Sequence, residues 1–128
     1  MDPELVPYYM HFGFAGASVG QFEHYFQIFY SNGQFPKYDY GPVKNLYLYG
    51  ADVPPEYNLD QVTVKTSLLT GKADVISSPA DSDKLAAVLP NLYLNEIINA
   101  TDFGHVDFLF RSNMKPLVWD RIVTLLNS

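Results

Sequence analysis

The order of elements in the second half of the chain restricts its fold more than any other feature. Residues 61–70, QVTVKTSLLT, are β-branched and apolar and end at Gly71, which predicts a strand closed by a turn. A helix is predicted at 81–89, a second strand at 92–98 and a final helix at 116–126. This order predicts two parallel strands joined by a right-handed crossover, with helices on both faces. The expected fold class is α/β.

A sheet of this kind is too small to stand alone. Two strands leave two open edges, and parallel sheets covered on both faces rarely contain so few strands. The sequence is therefore typical of part of a larger protein. Its final helix has Pro116 in the first turn and an apolar stripe that we expect to be buried. That stripe comprises Leu117, Val118, Ile122, Leu125 and Leu126.

The first half of the chain is aromatic and interrupted by prolines. Its clearest element is a helix predicted at 19–31 and ended by Asn32 and Gly33. Downstream, NLYLY at 45–49 predicts a short extended segment, and VPPEYNL at 53–59 predicts a loop. Apolar residues recur at helical spacing in the predicted helix, at Phe22, Tyr25, Phe26 and Phe29.

Composition and charge exclude several classes of function. The 128 residues are 48% hydrophobic and 17% charged, which predicts one folded domain and excludes a disordered tail. A net charge of -6 without a basic cluster argues against binding to nucleic acid or an anionic membrane. The absence of cysteine excludes a disulfide or a thiolate nucleophile, and the three histidines lack metal-ligand spacing. We therefore expect no cofactor and no metal.

The acidic start and the lack of a long apolar run predict no signal peptide and no membrane span in this chain.

Two polar residues follow the predicted strands. Asp74 follows the first and His105 the second, so parallel pairing would bring both to one edge of the sheet. A carboxylate that binds one imidazole nitrogen leaves the other to act as a general base. The alternatives are that Asp74 only caps a turn and that His105 is a hydrogen-bonded core residue. Asp107 is expected to make a structural hydrogen bond, and Asp81, like Asp83, to lie at a helix start.

The stretch GASVG matches the Gly-x-Ser-x-Gly pattern of a nucleophile elbow at Ser18. An elbow requires an exposed hydroxyl on a strained turn between a strand and a helix. Ser18 and Gln21 instead have the spacing of a capping box, in which each side chain binds the backbone amide of the other residue. We therefore expect Ser18 to cap a helix and not to act as a nucleophile.

Several motifs together resemble the acid lipase family, the α/β-hydrolases that include lysosomal acid lipase, gastric lipase and insect digestive lipases. AGASVGQFEHYFQ, FPKYDYG and VPPEYNL resemble three segments of the family's cap region. GKADVISSPAD resembles its acid loop and FGHVDFLF its histidine loop. The resemblance spans nearly the whole chain. Two departures occur: Val75 stands where Trp is common, and Gly104 replaces a larger residue.

The resemblance implies a role for each part of the chain. Residues 1–60 would be the end of the cap or lid, and residues 61–128 the C-terminal strand–helix–strand–helix part of the hydrolase core. Asp74 would be the catalytic acid and His105 the base of a Ser-His-Asp mechanism. The nucleophilic serine would lie outside this chain, which would then be a C-terminal fragment.

The resemblance also implies a function. The parent would be a secreted or lysosomal lipase that hydrolyses carboxylic esters of lipids, either triacylglycerols or sterol esters. The chain alone would be inactive and would self-associate through exposed apolar surface. The alternative is a non-catalytic fragment that binds lipid or a partner protein. The triplet Asn99-Ala100-Thr101 is a sequon, so Asn99 is a candidate glycosylation site in a secreted parent.

Overall fold

The computed structural model describes residues 3–13 and 15–127. They form two compact units, one comprising Ala15–Asn58 and the other comprising the segments before and after it. We call these the inserted unit and the sheet unit. The helices are α1 Val6–Phe12, α2 Val19–Phe29, α3 Pro42–Tyr49, α4 Pro79–Val88, α5 Asp107–Phe110 and α6 Asp120–Leu126; the strands are β1 Thr66–Gly71 and β2 Leu92–Ile98. Short 3-10 turns occupy Pro3–Leu5 and Leu59–Gln61, and a π-helical turn occupies Lys115–Trp119.

The two strands pair in parallel, as predicted, and their register places Gly71 opposite Ile98. The bounds of β2 are those predicted, but β1 begins at Thr66, so the expectation of a strand from residue 61 was wrong. Residues 61–65 have no partner strand, because β2 begins only at Leu92, opposite Thr66. β-branched composition alone does not make a strand without a neighbour.

Helices α4 and α6 cover opposite faces of β2. In α4, Ser82 donates its hydroxyl to the Asn95 side chain (2.9 Å), while in α6 Arg121 pairs with Glu96 (2.6 Å). Asn95 and Glu96 are neighbours in a strand, so their side chains point to opposite faces. The architecture is thus a mixed α/β arrangement with a two-stranded parallel sheet, compatible with part of an α/β-hydrolase fold.

The core of the sheet unit lies between the end of β2 and the C-terminal helices. Ile98, Phe103, Met114 and Val118 are buried together, with Leu69, Ala100, Phe108, Leu117 and Ile122 packed against them. The expected stripe of the final helix is therefore confirmed at its N-terminal end. It is wrong at Leu126, which is 80% exposed near the end of the described chain.

Helix α4 begins two residues before the predicted start. Ser78 caps it, and Asp81 completes a capping box by accepting the backbone amide of Ser78. Pro79 fits the first helical position, where no amide hydrogen is needed. The expectation that Asp81 lies at the helix start is confirmed.

The segment predicted to be extended at 45–49 is helical, because it belongs to α3. Pro42 occupies the first turn after Gly41, and Gly50 ends the helix in the left-handed conformation, with φ 76°. Proline at the start and glycine just past the end are characteristic helix boundaries. These two signals outweigh the alternation of apolar residues in NLYLY.

A buried asparagine organises the inserted unit. Asn45 is fully buried; its Oδ1 accepts the amide of Tyr40 (2.9 Å), and its Nδ2 donates to the Asp39 carboxylate (2.7 Å) and the Asp52 carbonyl (3.0 Å). The same Asp39 carboxylate accepts the amide of Gly41 (2.8 Å). We call this network the Asn45 hub. The hydrogen bonds from Asn45 and Gly41 hold the pKa of Asp39 below its ordinary value.

Helix α2 turns its polar side inward and its aromatic side outward within the inserted unit. His24 contacts the carbonyl of Pro36 through Nε2 (3.0 Å), and Gln27 bonds both backbone groups of Asp39 (2.9 Å each). On the other side, more than half of the surface of Phe22, Phe26 and Phe29 is exposed. The predicted helix is confirmed, although its apolar stripe is not packed within the unit.

Among the helices of residues 3–13 and 15–127, none has the length and apolar character of a membrane span.

Candidate active site

Asp74 lies three residues after β1, in a turn where its amide donates to the carbonyl of Gly71 (3.1 Å). Its Oδ1 accepts the backbone amides of Ile76 (2.9 Å) and Ser77 (2.8 Å). The side chain is 2% exposed. An aspartate that binds the amides of the next residues stabilises its own turn, so the alternative of a turn-capping role is correct for this oxygen.

Opposing effects act on the pKa of the Asp74 carboxyl. Burial raises it, because a buried carboxylate loses hydration. The hydrogen bonds from Ser77 and Ile76, together with the hydrogen bond and charge of His105, lower it by more. The resulting pKa lies below the ordinary value, and Asp74 is a carboxylate at neutral pH.

His105 lies in the loop between β2 and α5, and its Nδ1 is 3.0 Å from the other carboxylate oxygen of Asp74. The histidine side chain is 49% exposed. Within residues 3–13 and 15–127, the imidazole has no other hydrogen bond, so Nε2 is open to an incoming group. The structure therefore brings together the two residues that the sequence placed at one edge of the sheet.

The loop around His105 is held by backbone contacts. The Asp107 carboxylate accepts the amide of Gly104 (2.7 Å), and the amide of Asp107 returns a bond to the Gly104 carbonyl (3.1 Å). This closed turn has His105 inside it and confirms the structural hydrogen bond expected of Asp107. The amide of Ala73 also donates to the carbonyl of Phe103 (2.9 Å), which joins the acid loop to the histidine loop.

Gly71 permits this close approach of the two loops. A Cβ at this position would lie 2.6 Å from the Phe103 carbonyl oxygen, which is too close for any side chain. At Gly104, by contrast, a Cβ would lie 3.6 Å from its nearest neighbours, an ordinary contact. A larger residue would therefore fit at position 104, where the family commonly has one. At position 71 the space requires glycine.

The arrangement is suited to proton transfer. The carboxylate beside Nδ1 favours the tautomer with the proton on that nitrogen and leaves the lone pair of Nε2 free to accept a proton. The buried Asp74 is fixed by three hydrogen bonds and would stabilise the imidazolium that forms. Among the described residues, no serine, threonine or tyrosine hydroxyl is bonded to His105.

Ser18 is bonded as a helix cap. Its Oγ accepts the amide of Gln21 (3.2 Å), and the Gln21 side chain accepts the amide of Ser18 (2.8 Å). The capping box predicted from GASVG is confirmed, and the backbone of Ser18 is ordinary extended chain with φ -76°.

The other candidate residues have structural surroundings. Asp83 accepts the side-chain amide of Asn95 (2.8 Å) and so ties α4 to β2. Asn99 is exposed in the turn after β2. The described residues contain no group of three or more histidine, cysteine, aspartate or glutamate side chains able to hold a metal.

Two backbone amides that orient Asp74 were not predicted from the sequence. Ile76 and Ser77 contribute backbone groups, which no side-chain pattern identifies. The sequence signal that could have identified them is Asp74 itself, which lies two residues before Ile76 and three before Ser77. Aspartate commonly accepts amides at these positions in turns. The acid therefore has two functions, with one oxygen holding the turn and the other holding the imidazole.

Two surface grooves are lined by residues other than this pair. One of about 520 Å³, in the inserted unit, is lined by aromatic and acidic side chains that include Phe26 and Tyr38. A second of about 360 Å³ lies beside β1 and α6 and is lined by Leu69 and Ile122, among others. Neither is lined by Asp74 or His105, so these grooves do not define the candidate site.

Comparison with known proteins identifies relatives along the chain. The chain is 32% identical to Lipase 3 of Drosophila melanogaster over 128 residues, which is 100% of this chain and 32% of that protein. It is 32% identical to Lipase 1 of the same species over 112 residues, 88% of the chain and 25% of the relative. It is 30% identical to gastric triacylglycerol lipase of Rattus norvegicus over 113 residues, 88% of the chain and 28% of the relative.

No protein-family model matches the sequence. The chain spans about a third or less of the length of these relatives. Lipases from an insect and a mammal nevertheless align with most or all of it, including the segment that contains the acid and histidine loops. The chain belongs to the acid and gastric lipase family.

Proposed function

We propose that this chain supplies the acid and the base of a lipid ester hydrolase. In this proposal Asp74 orients and stabilises His105, and His105 removes a proton from a serine that lies outside these 128 residues. The observation that supports it is the 3.0 Å contact between a buried carboxylate and an imidazole whose other nitrogen is open. The relatives are about three times longer, which leaves room for the nucleophile elsewhere.

The proposed mechanism follows from the contact. His105 Nε2 accepts the serine proton as the oxygen attacks the ester carbonyl, and it then donates that proton to the leaving alcohol. The imidazolium formed between these steps is stabilised by the Asp74 carboxylate. Water repeats the sequence and releases the carboxylic acid. The donors that stabilise the developing oxyanion would belong, with the serine, to the rest of the parent.

The proposed substrates are carboxylic esters of lipids. One relative is named a gastric triacylglycerol lipase, so triacylglycerols are one candidate and sterol esters another. We assign the inserted unit to the cap of the parent, where the aromatic face of α2 would contact acyl chains. We also place residues 61–128 in the C-terminal part of the hydrolase core, and we expect the parent to be secreted or lysosomal.

The alternative is a chain that binds lipid or a partner without chemistry. The exposed aromatic face of α2 favours this alternative, since Phe22, Phe26 and Phe29 form an apolar surface irrespective of the site. In that case Asp74 and His105 would be a structural pair.

A segment exchange distinguishes the two. The 128 matching residues of Drosophila Lipase 3 are replaced by this chain, and turnover of a short-chain nitrophenyl ester is measured beside the melting temperature. We expect the exchanged protein to be active and the isolated chain to remain at background. His105→Ala should reduce turnover by orders of magnitude with little change in melting temperature, and Asp74→Asn should also be severe.

Ser18→Ala is the matched control, because it removes a polar group outside the proposed machinery. We expect it to lower the melting temperature and to leave turnover per folded molecule largely unchanged. Full activity of the His105→Ala protein would contradict the proposal and favour the non-catalytic alternative.

A further inference from the structure

The turn between β2 and the His105 loop carries the sequence Asn99-Ala100-Thr101. Eight asparagines occur in the chain, and this is the one followed at the second position by serine or threonine. The middle residue is alanine, and proline at that position would have blocked recognition. The sequence therefore offers a single acceptor for an N-linked glycan.

The two recognition residues of the sequon, Asn99 and Thr101, differ in burial from the residue between them. Asn99 and Thr101 are exposed, whereas Ala100 packs against the core formed by Ile98 and Phe103. The backbone of the turn is fixed, since Ala100 donates to the Ile98 carbonyl (2.8 Å) and Phe103 donates to the Ala100 carbonyl (3.2 Å). The turn thus points both polar side chains away from the core.

Neither recognition side chain has a role inside the protein. In the described segments 3–13 and 15–127, the Asn99 amide and the Thr101 hydroxyl form no hydrogen bonds. Asn95, within β2, is different, because its side chain bonds both Ser82 and Asp83. A bulky substituent would break contacts at Asn95 and none at Asn99.

We infer that Asn99 carries an N-linked glycan. The Asn99 side-chain nitrogen forms a bond to the anomeric carbon of an oligosaccharide, the amide loses one proton, and the lipid pyrophosphate that carried the sugar leaves. The donor is thus a lipid-pyrophosphate-linked oligosaccharide, and transfer occurs in the lumen of the secretory pathway. The inference rests on the secretory route proposed above and is independent of ester hydrolysis.

The placement has a structural consequence. Asn99 lies at the carboxyl end of β2, at the edge of the sheet that carries Asp74 and His105. A large hydrophilic group at this position raises the solubility of a surface that lies beside an open sheet edge. It is attached outside the core, so a glycan added before folding does not obstruct the packing of Ile98 and Phe103.

The test is translation of the chain behind a secretory signal peptide in the presence of microsomes. Only chains protected from added protease are scored, so translocation is established independently. We expect one glycan per chain, removed by N-glycosidase with conversion of residue 99 to aspartate in peptide mass spectra. Thr101→Ala and Asn99→Gln should abolish the modification, whereas Thr101→Ser should retain it. Translocated chains with unmodified Asn99 would overturn the inference.

A relocated sequon tests the structural part of the argument. In cells that secrete the exchanged lipase, Ile97→Thr combined with Asn99→Gln moves the sequon to Asn95. Ile97→Val with an intact Asn99 is the control, because valine has the shape of threonine and creates no second sequon. We expect the Asn95 glycan to reduce secretion of folded protein several-fold relative to the control, because Asn95 loses its bonds to α4. Equal secretion of the two glycosylated proteins would contradict the distinction between the two positions.

Discussion

Adding one methyl group at Gly71 is expected to destabilise the sheet unit and separate the two loops of the candidate site. In Gly71→Ala the new Cβ would lie 2.6 Å from the Phe103 carbonyl oxygen and 3.1 Å from a carbon of its ring. An ordinary carbon–oxygen contact is about 3.3 Å, so the backbone of one loop must move by about 0.7 Å. The backbone conformation of Gly71 is available to alanine, so the effect is steric.

The displacement acts on a bond that joins the loops. The Ala73 amide is 2.9 Å from the same Phe103 oxygen, and a shift of about 0.7 Å would lengthen this distance beyond hydrogen-bond range. Overpacking typically costs about 1–3 kcal/mol and a lost hydrogen bond about 1 kcal/mol, so the expected loss of unfolding free energy is about 2–4 kcal/mol. The Asp74–His105 contact, which these loops position, should lengthen as well.

Urea denaturation of the exchanged lipase measures the first effect, and its turnover measures the second. Misplacement of a catalytic group by about 1 Å reduces turnover by about 100-fold. Gly104→Ala is the matched control on the facing loop, because its Cβ would make only ordinary contacts at 3.6 Å. If Gly71→Ala changed the unfolding free energy by less than about 0.5 kcal/mol, as substitutions at unconstrained surface positions do, the steric argument would be refuted.

Three further outcomes follow from other contacts. Ser18→Ala removes the acceptor for the Gln21 amide and should cost about 1 kcal/mol, measured by urea denaturation; no change would contradict the capping role. Asp74 has a lowered pKa, so it stabilises the fold above its unfolded-state pKa of about 3.9, and this contribution is lost as pH falls through the folded-state value. The stability deficit of Asp74→Asn should therefore shrink in melts below about pH 4, and a constant deficit would refute the assignment. Asn45→Ala should cost about 1–3 kcal/mol by leaving buried partners unsatisfied, and a neutral effect in the same assay would show that the hub is not required.

The parts of the structure that could be predicted from the sequence are those in which local chemistry and tertiary pairing agree. The bounds of β2 and the cap at Ser18 followed from local patterns. The convergence of Asp74 with His105 followed from the parallel order of the two strands. The start of β1 could not be predicted in this way, because a strand extends only as far as the partner strand beside it. The β propensity of residues 61–65 contains no information about where that partner begins.

The failures in the inserted unit have a different cause. The spacing of aromatic residues in α2 identifies a helix but does not show which side faces inward, and here His24 and Gln27 face the rest of the unit. The helix α3 was not predicted, because the alternation of apolar residues in NLYLY favours an extended segment, whereas Pro42 and Gly50 mark the ends of a helix. The close approach at Gly71 involves residues that are 32 positions apart, and a lone glycine at a strand end does not reveal it.

The Asn45 hub has a consequence for how the inserted unit can behave as part of a larger protein. Asn45 bonds Asp39, Tyr40 and Asp52, and Gln27 ties α2 to the backbone of Asp39. The exposed phenylalanines of α2 contribute none of these bonds. If the inserted unit is the cap proposed above, these bonds would let it leave an apolar surface and return to it as a preformed body, without a refolding step. Replacing its outer aromatic residues would then alter what the unit adheres to and leave these internal bonds in place.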